Sequence, residues 1–344
     1  MALPVASSAA RGRKNRGLGL LGGLAVLCLV SLVSLAVGSR PVPLDQTFAA
    51  LRNFDPANDL HLVVRELRLP RTMVALLAGL ALGVAGAVMQ AVTRNPLAEP
   101  GLLGINAGAA TAVAVGVLVL DLTSMAQYVW LSFLGAGLAG TAVFILGQAH
   151  EAGTNPVRLV LAGAGFSMTL GAATGMIILN APVTVLDDFR HWAAGSVEGR
   201  GLDVVAVLAP SVAAGLLAAF SIAGNLNAMA LGEDMGRALG VSRRRTWVLA
   251  CLSVMLLAGS ATAGAGPVGL VGLVAPQAAR AVTGPDHRFI LPCSALFAAI
   301  LLIGADVVGR LIAPPSEVAA GIVAALIGGP LFVLIVRRFR LSRL

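Results

Sequence analysis

The chain has 344 residues, 58% of them hydrophobic and 12% charged. A soluble domain carries about 25% charged residues, so a soluble enzyme or binding module is excluded. The net charge of +8 comes from basic residues set between apolar runs, where membrane topology accounts for them and nucleic-acid binding does not.

The first apolar run follows the basic segment "ARGRKN" and extends from about Leu18 to Val37. A signal-peptide core has about 7–15 residues, so this run reads as a retained first helix behind an N-terminal tail, 1–17. Ten such spans are expected, near 18–37, 70–92, 101–120, 126–147, 158–180, 203–223, 246–264, 267–283, 290–310 and 316–336. Each approaches the ~20 residues a helix needs to cross a bilayer. No segments of alternating polarity suggest a β-barrel. One transmembrane domain, 18–336, results, with a short tail at 337–344.

Between the first two spans lies the longest external loop, in which "PLDQTFAALRNF" reads as a short amphipathic helix. The second and third spans are separated by "RNPLAEPG", 94–101. Pro96 and Pro100 lack amide donors, so continuous helix is not expected there. Glu99 stands just before the third span, where a carboxylate suits the positive end of a helix dipole. In "DDFRHWAAGSVEGRG", 187–201, Trp192 reads as an interfacial anchor. The segment 225–247, "NLNAMALGEDMGRALGVSRRRTW", reads as two short helices broken at Gly232 and Gly240, a candidate docking element or a basic surface loop. Asp306 and Arg310, one turn apart in the ninth span, can pair.

Ten spans place both termini on one side. With the N-terminus inside, 16 of the 24 basic residues but only 5 of the 16 acidic ones lie inside, as the positive-inside rule requires. The segments "LLAGLALGVAG" (76–86) and "LLAGSATAGAG" (256–266) match at seven of eleven positions and run in opposite directions. That echo suggests an inverted repeat, an arrangement used by many transporters.

Catalytic motifs are missing. There is no G-x-x-x-x-G-K-[ST], and the single lysine is Lys14, so the chain is no P-loop ATPase. The four histidines and three cysteines have no metal-ligand spacing. The spans show no midplane carboxylate of the kind a proton-driven carrier uses. The chain reads as a non-enzymatic pathway driven by a partner.

Four segments carry a resemblance: "RLPRTMVALLAGLALGVAGAVMQAVTRNPLAEPGLLGINAGA", "MALGEDMGRALGVSRRR", "AGPVGLVGLVAPQAARAVTGPDHRFILP" and "ADVVGRLIAPPSEVAAGIVAALIGGPLFVLIVRR". Together they resemble the FecCD-type permeases of bacterial iron-siderophore, heme and cobalamin ABC importers. The resemblance implies a ten-helix type II importer subunit in the bacterial cytoplasmic membrane, with both termini cytoplasmic. It implies as partners a second permease subunit, identical or homologous, two ABC ATPase subunits that bind ATP and magnesium, and an external substrate-binding protein. No cofactor is expected in this chain. Substrate would pass along the interface of the two permease subunits.

By the same resemblance the ATPase docks at 225–245, through Leu231, Gly232, Glu233, Asp234, Arg237, Ala238, Leu239 and Gly240. The binding protein meets Arg68, Arg71 and Arg310, though helix-end snorkelling would also explain the first two. Asn95 and Leu97 form a cytoplasmic gate, a plain tight turn being the alternative. Gln277 stands where the family often has His, which points to ferric siderophore as the substrate. Heme or cobalamin is the alternative cargo and a secondary transporter the alternative class.

Overall fold

A computed structural model describes residues 5–38, 40–120, 125–147, 156–314 and 316–339; the expected C-terminal tail lies outside them beyond Phe339. The described residues are all helix and connection. Helix α1 spans Val5–Ala36 and takes in most of the segment expected as a tail. The expected surface helix is α2, Leu44–Arg52. A short α3, Asp59–Leu62, passes through a π-helical turn, Val63–Arg68, into α4, Leu69–Thr93.

The chain then turns, makes a 3-10 turn at Pro100–Leu103 and enters α5, Ile105–Val119. Helices α6, Met125–Leu146, and α7, Pro156–Leu179, follow. Next come α8, Val183–Ala193, and α9, Leu202–Ser221. Two short helices, α10, Ala223–Ala230, and α11, Glu233–Ala238, lead to α12, Arg243–Ala265. The chain ends in α13, Val271–Thr283, α14, His287–Ile312, and α15, Ala320–Phe339.

Each of the ten expected spans falls on one of these helices. Among the described residues seven are long and apolar enough to cross a membrane, and the apolar stretches Ile105–Val119 of α5 and Ala320–Ile335 of α15 are shorter. Helix α13 departs most from expectation. Its 13 residues rise about 20 Å, against a hydrocarbon core of about 30 Å. The missing length is made up by non-helical chain, 266–270, where a helix was expected from 267 onward. Irregular backbone is tolerated in a membrane when protein covers it, and here Val268 and Val271 are buried.

The core is built around α4, which packs against α14, α12, α13 and α9. Small residues permit the approach. A Cβ on Gly83 would meet the Ser294 carbonyl of α14, and one on Gly86 would meet the Gly272 carbonyl at the start of α13. Trp192 corrects the sequence reading. It is fully buried, not an interfacial anchor. Its carbonyl lies where a Cβ on Gly266 would stand, and Gly266 has φ +72°. Helix α8 is thereby seated on the irregular chain before α13.

Candidate functional site

Two ends of the bundle carry polar machinery. At the acid-rich end, α1 stops at Ala36 and leaves four carbonyls without helical partners. All four are satisfied. Val33 O accepts from Val37 N at 2.8 Å. Ser34 O accepts from Arg310 Nη1 at 2.9 Å, and Leu35 O from Arg68 Nη1 at 2.9 Å. Ala36 O accepts from Arg68 Nη1 at 2.8 Å and from Val42 N at 3.0 Å. Arg68 Nη2 also donates to Arg40 O. Two cations thus cap a helix C-terminus, where the dipole favours positive charge.

Arg310 Nη2 also donates to Ser34 Oγ at 2.7 Å and pairs with Asp306 Oδ2 at 3.0 Å. Arg71 takes the other Asp306 oxygen at 2.7 Å and reaches Glu317 at 2.7 Å. The expected Asp306–Arg310 pair is present as one edge of a four-residue network. Arg68 and Arg310 are 6% and 3% exposed. These arginines, read from the sequence as facing a partner, turn inward because the carbonyl end of α1 takes up their donors. Above them lies a cavity of about 440 Å³, lined by Arg40, Arg71, Arg200, Glu66 and Glu198 among others. Burial lowers the Arg200 guanidinium to about 10, which still leaves it protonated at neutral pH.

At the basic end, α10 and α11 are separated by Gly232, with φ +112°, and α11 ends before Gly240, with φ +77°. Both breaks fall where the sequence placed them. Leu231, Met235 and Leu239, four residues apart, are 67%, 54% and 60% exposed. Met235 and Leu239 stand one turn apart along α11, Leu231 lies just before the break at Gly232, and all three are flanked by exposed Asp234, Arg237 and Ala238. Helix α10 is held from two sides. Asn225 Nδ2 donates to Thr246 Oγ1 at 3.2 Å, and Asn227 Nδ2 to Asp286 Oδ1 at 2.7 Å.

The turn after α4 reaches the same end. Asn95 Oδ1 accepts from Leu97 N at 2.9 Å, and Leu97 is 53% exposed. Glu99 Oε1 accepts from Leu270 N at 3.2 Å. Burial raises the Glu99 carboxyl above its ordinary value, and this hydrogen bond offsets part of the rise. Arg94, at the start of this turn, donates to Met229 O of α10, so the turn that carries the expected gate is joined to the expected docking element.

A family profile, that of the FecCD transport family, matches residues 26–338. The chain belongs to this family. FecCD-family members are permease subunits of ABC transporters and are not themselves enzymes; a secondary transporter is thereby ruled out. The chain is 39% identical over 326 residues to the ferric enterobactin transport system permease protein FepD of Escherichia coli, covering 94% of this chain and 96% of that protein. It is 36% identical over 322 residues to the iron(3+)-hydroxamate import system permease protein FhuB of Bacillus subtilis, covering 93% and 83%. A solved metal-chelate type ABC transporter in an inward-facing conformation matches with a TM-score of 0.79 and 25% identity, covering 94% of this chain and 99% of that one.

This FecCD-family chain also holds a polar cluster that sequence reasoning missed. Gln90 Oε1 accepts from Gln277 Nε2 at 3.0 Å and from Arg280 Nη1 at 2.8 Å. Gln277 Nε2 also donates to Pro96 O at 2.8 Å. The available signal was Gln90 itself, a lone amide in an apolar span, which must find partners inside the bundle.

Proposed function

We propose that the chain is the membrane permease subunit of an ATP-driven importer of ferric siderophores in the bacterial cytoplasmic membrane. Both termini and the basic end face the cytoplasm in this reading, which the charge asymmetry of the loops supports. The observation that carries it is the exposure of Leu231, Met235 and Leu239 around the α10–α11 break. Three large apolar side chains, more than half exposed on a polar segment between spans, call for a protein partner. The partner we infer is an ABC ATPase that supplies ATP and magnesium. The names of the relatives, ferric enterobactin and iron(3+)-hydroxamate permeases, support a ferric siderophore as cargo over heme or cobalamin.

Ala238→Pro tests the docking site. Ala238 is the last residue of α11; proline there removes an amide donor and clashes with the preceding turn, which displaces Met235 and Leu239. Purified permease should lose its ATPase partner while inserting normally. ATPase co-purification at the wild-type level would refute docking at this segment.

Two further roles belong to this reading. Asn95 and Leu97 form the cytoplasmic gate with their mates from a second permease subunit. A substrate-binding protein docks on the acid-rich end. There Arg68 and Arg310 act from beneath, by fixing the end of α1, and Arg71, whose side chain is 12% exposed, lies nearest the surface. The second subunit packs on α7. This is the least buried of the long apolar helices, and a Cβ on Gly171 or Gly175, one turn apart on one face, would meet nothing within 4 Å. A face of small residues permits another helix to approach closely.

A further inference from the structure

The turn that carries Asn95 and Leu97 is suspended between two parts of the bundle. On one side it is held to the α13 region, by Gln277 Nε2 on Pro96 O at 2.8 Å and by Leu270 N on Glu99 Oε1 at 3.2 Å. On the other side Arg94 Nη2 donates to Met229 O at 2.9 Å. Met229 is in the last turn of α10, two residues before exposed Leu231. Arg94 reaches it from a left-handed backbone, φ +51°, one of only two such non-glycine residues among those described. Glycine or asparagine is the usual choice in that conformation. An arginine there is explained by its long side chain. Next to this bond a cavity of about 100 Å³, lined by Val92, Gly236 and Trp247 among others, lies between the turn and α11. The spacing there can change without collision while Arg94 keeps hold of α10.

We propose that Arg94 is a positioning residue for transport: its guanidinium transmits displacement of the α10–α11 segment to the Asn95–Leu97 turn. This rests on the reading of that segment as the ATPase docking site. Transport needs the turn to move when nucleotide moves the ATPase, and the Arg94–Met229 bond is a direct polar link from one element to the other.

The test uses the assembled permease–ATPase complex with Cys28→Ser, which removes the exposed native thiol, and Leu97→Cys as reporter. The rate of labelling at residue 97 by a water-soluble maleimide is measured with and without a non-hydrolysable ATP analogue. The analogue should change the rate in the parent complex and in Arg94→Lys, which keeps a donor. In Arg94→Gly, which adopts the left-handed backbone freely, the response should fall about tenfold, the weight of one hydrogen bond to a charged group, with ATPase co-purification intact. Arg94→Asn also suits that backbone and is too short to reach Met229, so it serves if the glycine variant fails to assemble. A full response in Arg94→Gly or Arg94→Asn overturns the proposal, because turn shape alone then suffices. No response in the parent complex overturns it too. Failure of the parent chain to hold an ATPase refutes the docking reading and takes this inference with it.

Discussion

Arg310 makes three hydrogen bonds around the end of α1, to Ser34 O, Val37 O and Ser34 Oγ, and pairs with Asp306. Its substitution by alanine leaves the Ser34 and Val37 carbonyls without that donor and Asp306, 1% exposed, with one cation instead of two. Breaking a buried charge pair costs about 3–5 kcal/mol. Arg310→Ala should therefore lower the melting temperature of the detergent-solubilised permease markedly. Arg310→Lys should recover only part of the loss, since an ammonium cannot reproduce the guanidinium fork. The same preparation, held below its melting point, reports on docking of the binding protein. Unchanged melting together with weakened docking would return this arginine to direct contact with a partner.

Close approach along α4 decides the packing of the elements. Gly83→Val drives a branched side chain into the Ser294 carbonyl and the Ala298 side chain of α14. Overpacking of this kind costs about 1–3 kcal/mol or more, and backbone on the far side cannot yield as a side chain would. Thermal aggregation should begin at distinctly lower temperature. Gly304→Ala on the same α14 is the control, because a Cβ there meets nothing within 4 Å. It should be neutral, or stabilising by about 0.5–1 kcal/mol through helix propensity. Equal effects from the two substitutions would remove the steric argument. The elements were legible in sequence where the signal is local. Hydropathy pointed to a helix at each of the ten expected positions, seven of them long and apolar enough to cross a membrane among the described residues, and Gly232 and Gly240 marked the breaks around α11. The interior of Trp192 and the break before α13 were not legible, because each depends on the other's backbone across more than seventy residues. The three arginines were recognised as a set, but Arg68 and Arg310 are directed by carbonyls up to 276 residues away and Arg71 by the Asp306 and Glu317 carboxylates.

At the level of the whole molecule, the pathway and the second subunit are tested at the 94–101 turn and on the α7 face. Asn95→Ala with Leu97→Ala removes the turn-closing side chain and the exposed leucine together. Proteoliposomes of the assembled transporter should then leak a small hydrophilic dye without ATP. A sealed double mutant that transports normally would leave 94–101 as a plain turn. The α7 face predicts that Met176→Cys, in a chain carrying Cys28→Ser, forms a disulfide-linked pair of permease subunits on mild oxidation. Absence of that pair from an intact complex, at Met176 and at Met168 alike, would place the second subunit on another face. The caps on α1 also have a bearing on biosynthesis. Arg310 leaves the ribosome 276 residues after Ser34, about half a minute later at ~10 residues per second. The first helix to enter the membrane thus waits, with its end half sealed by Arg68, until nearly the whole chain has been made. A truncated nascent chain should leave that end protease-accessible, and full-length synthesis should close it.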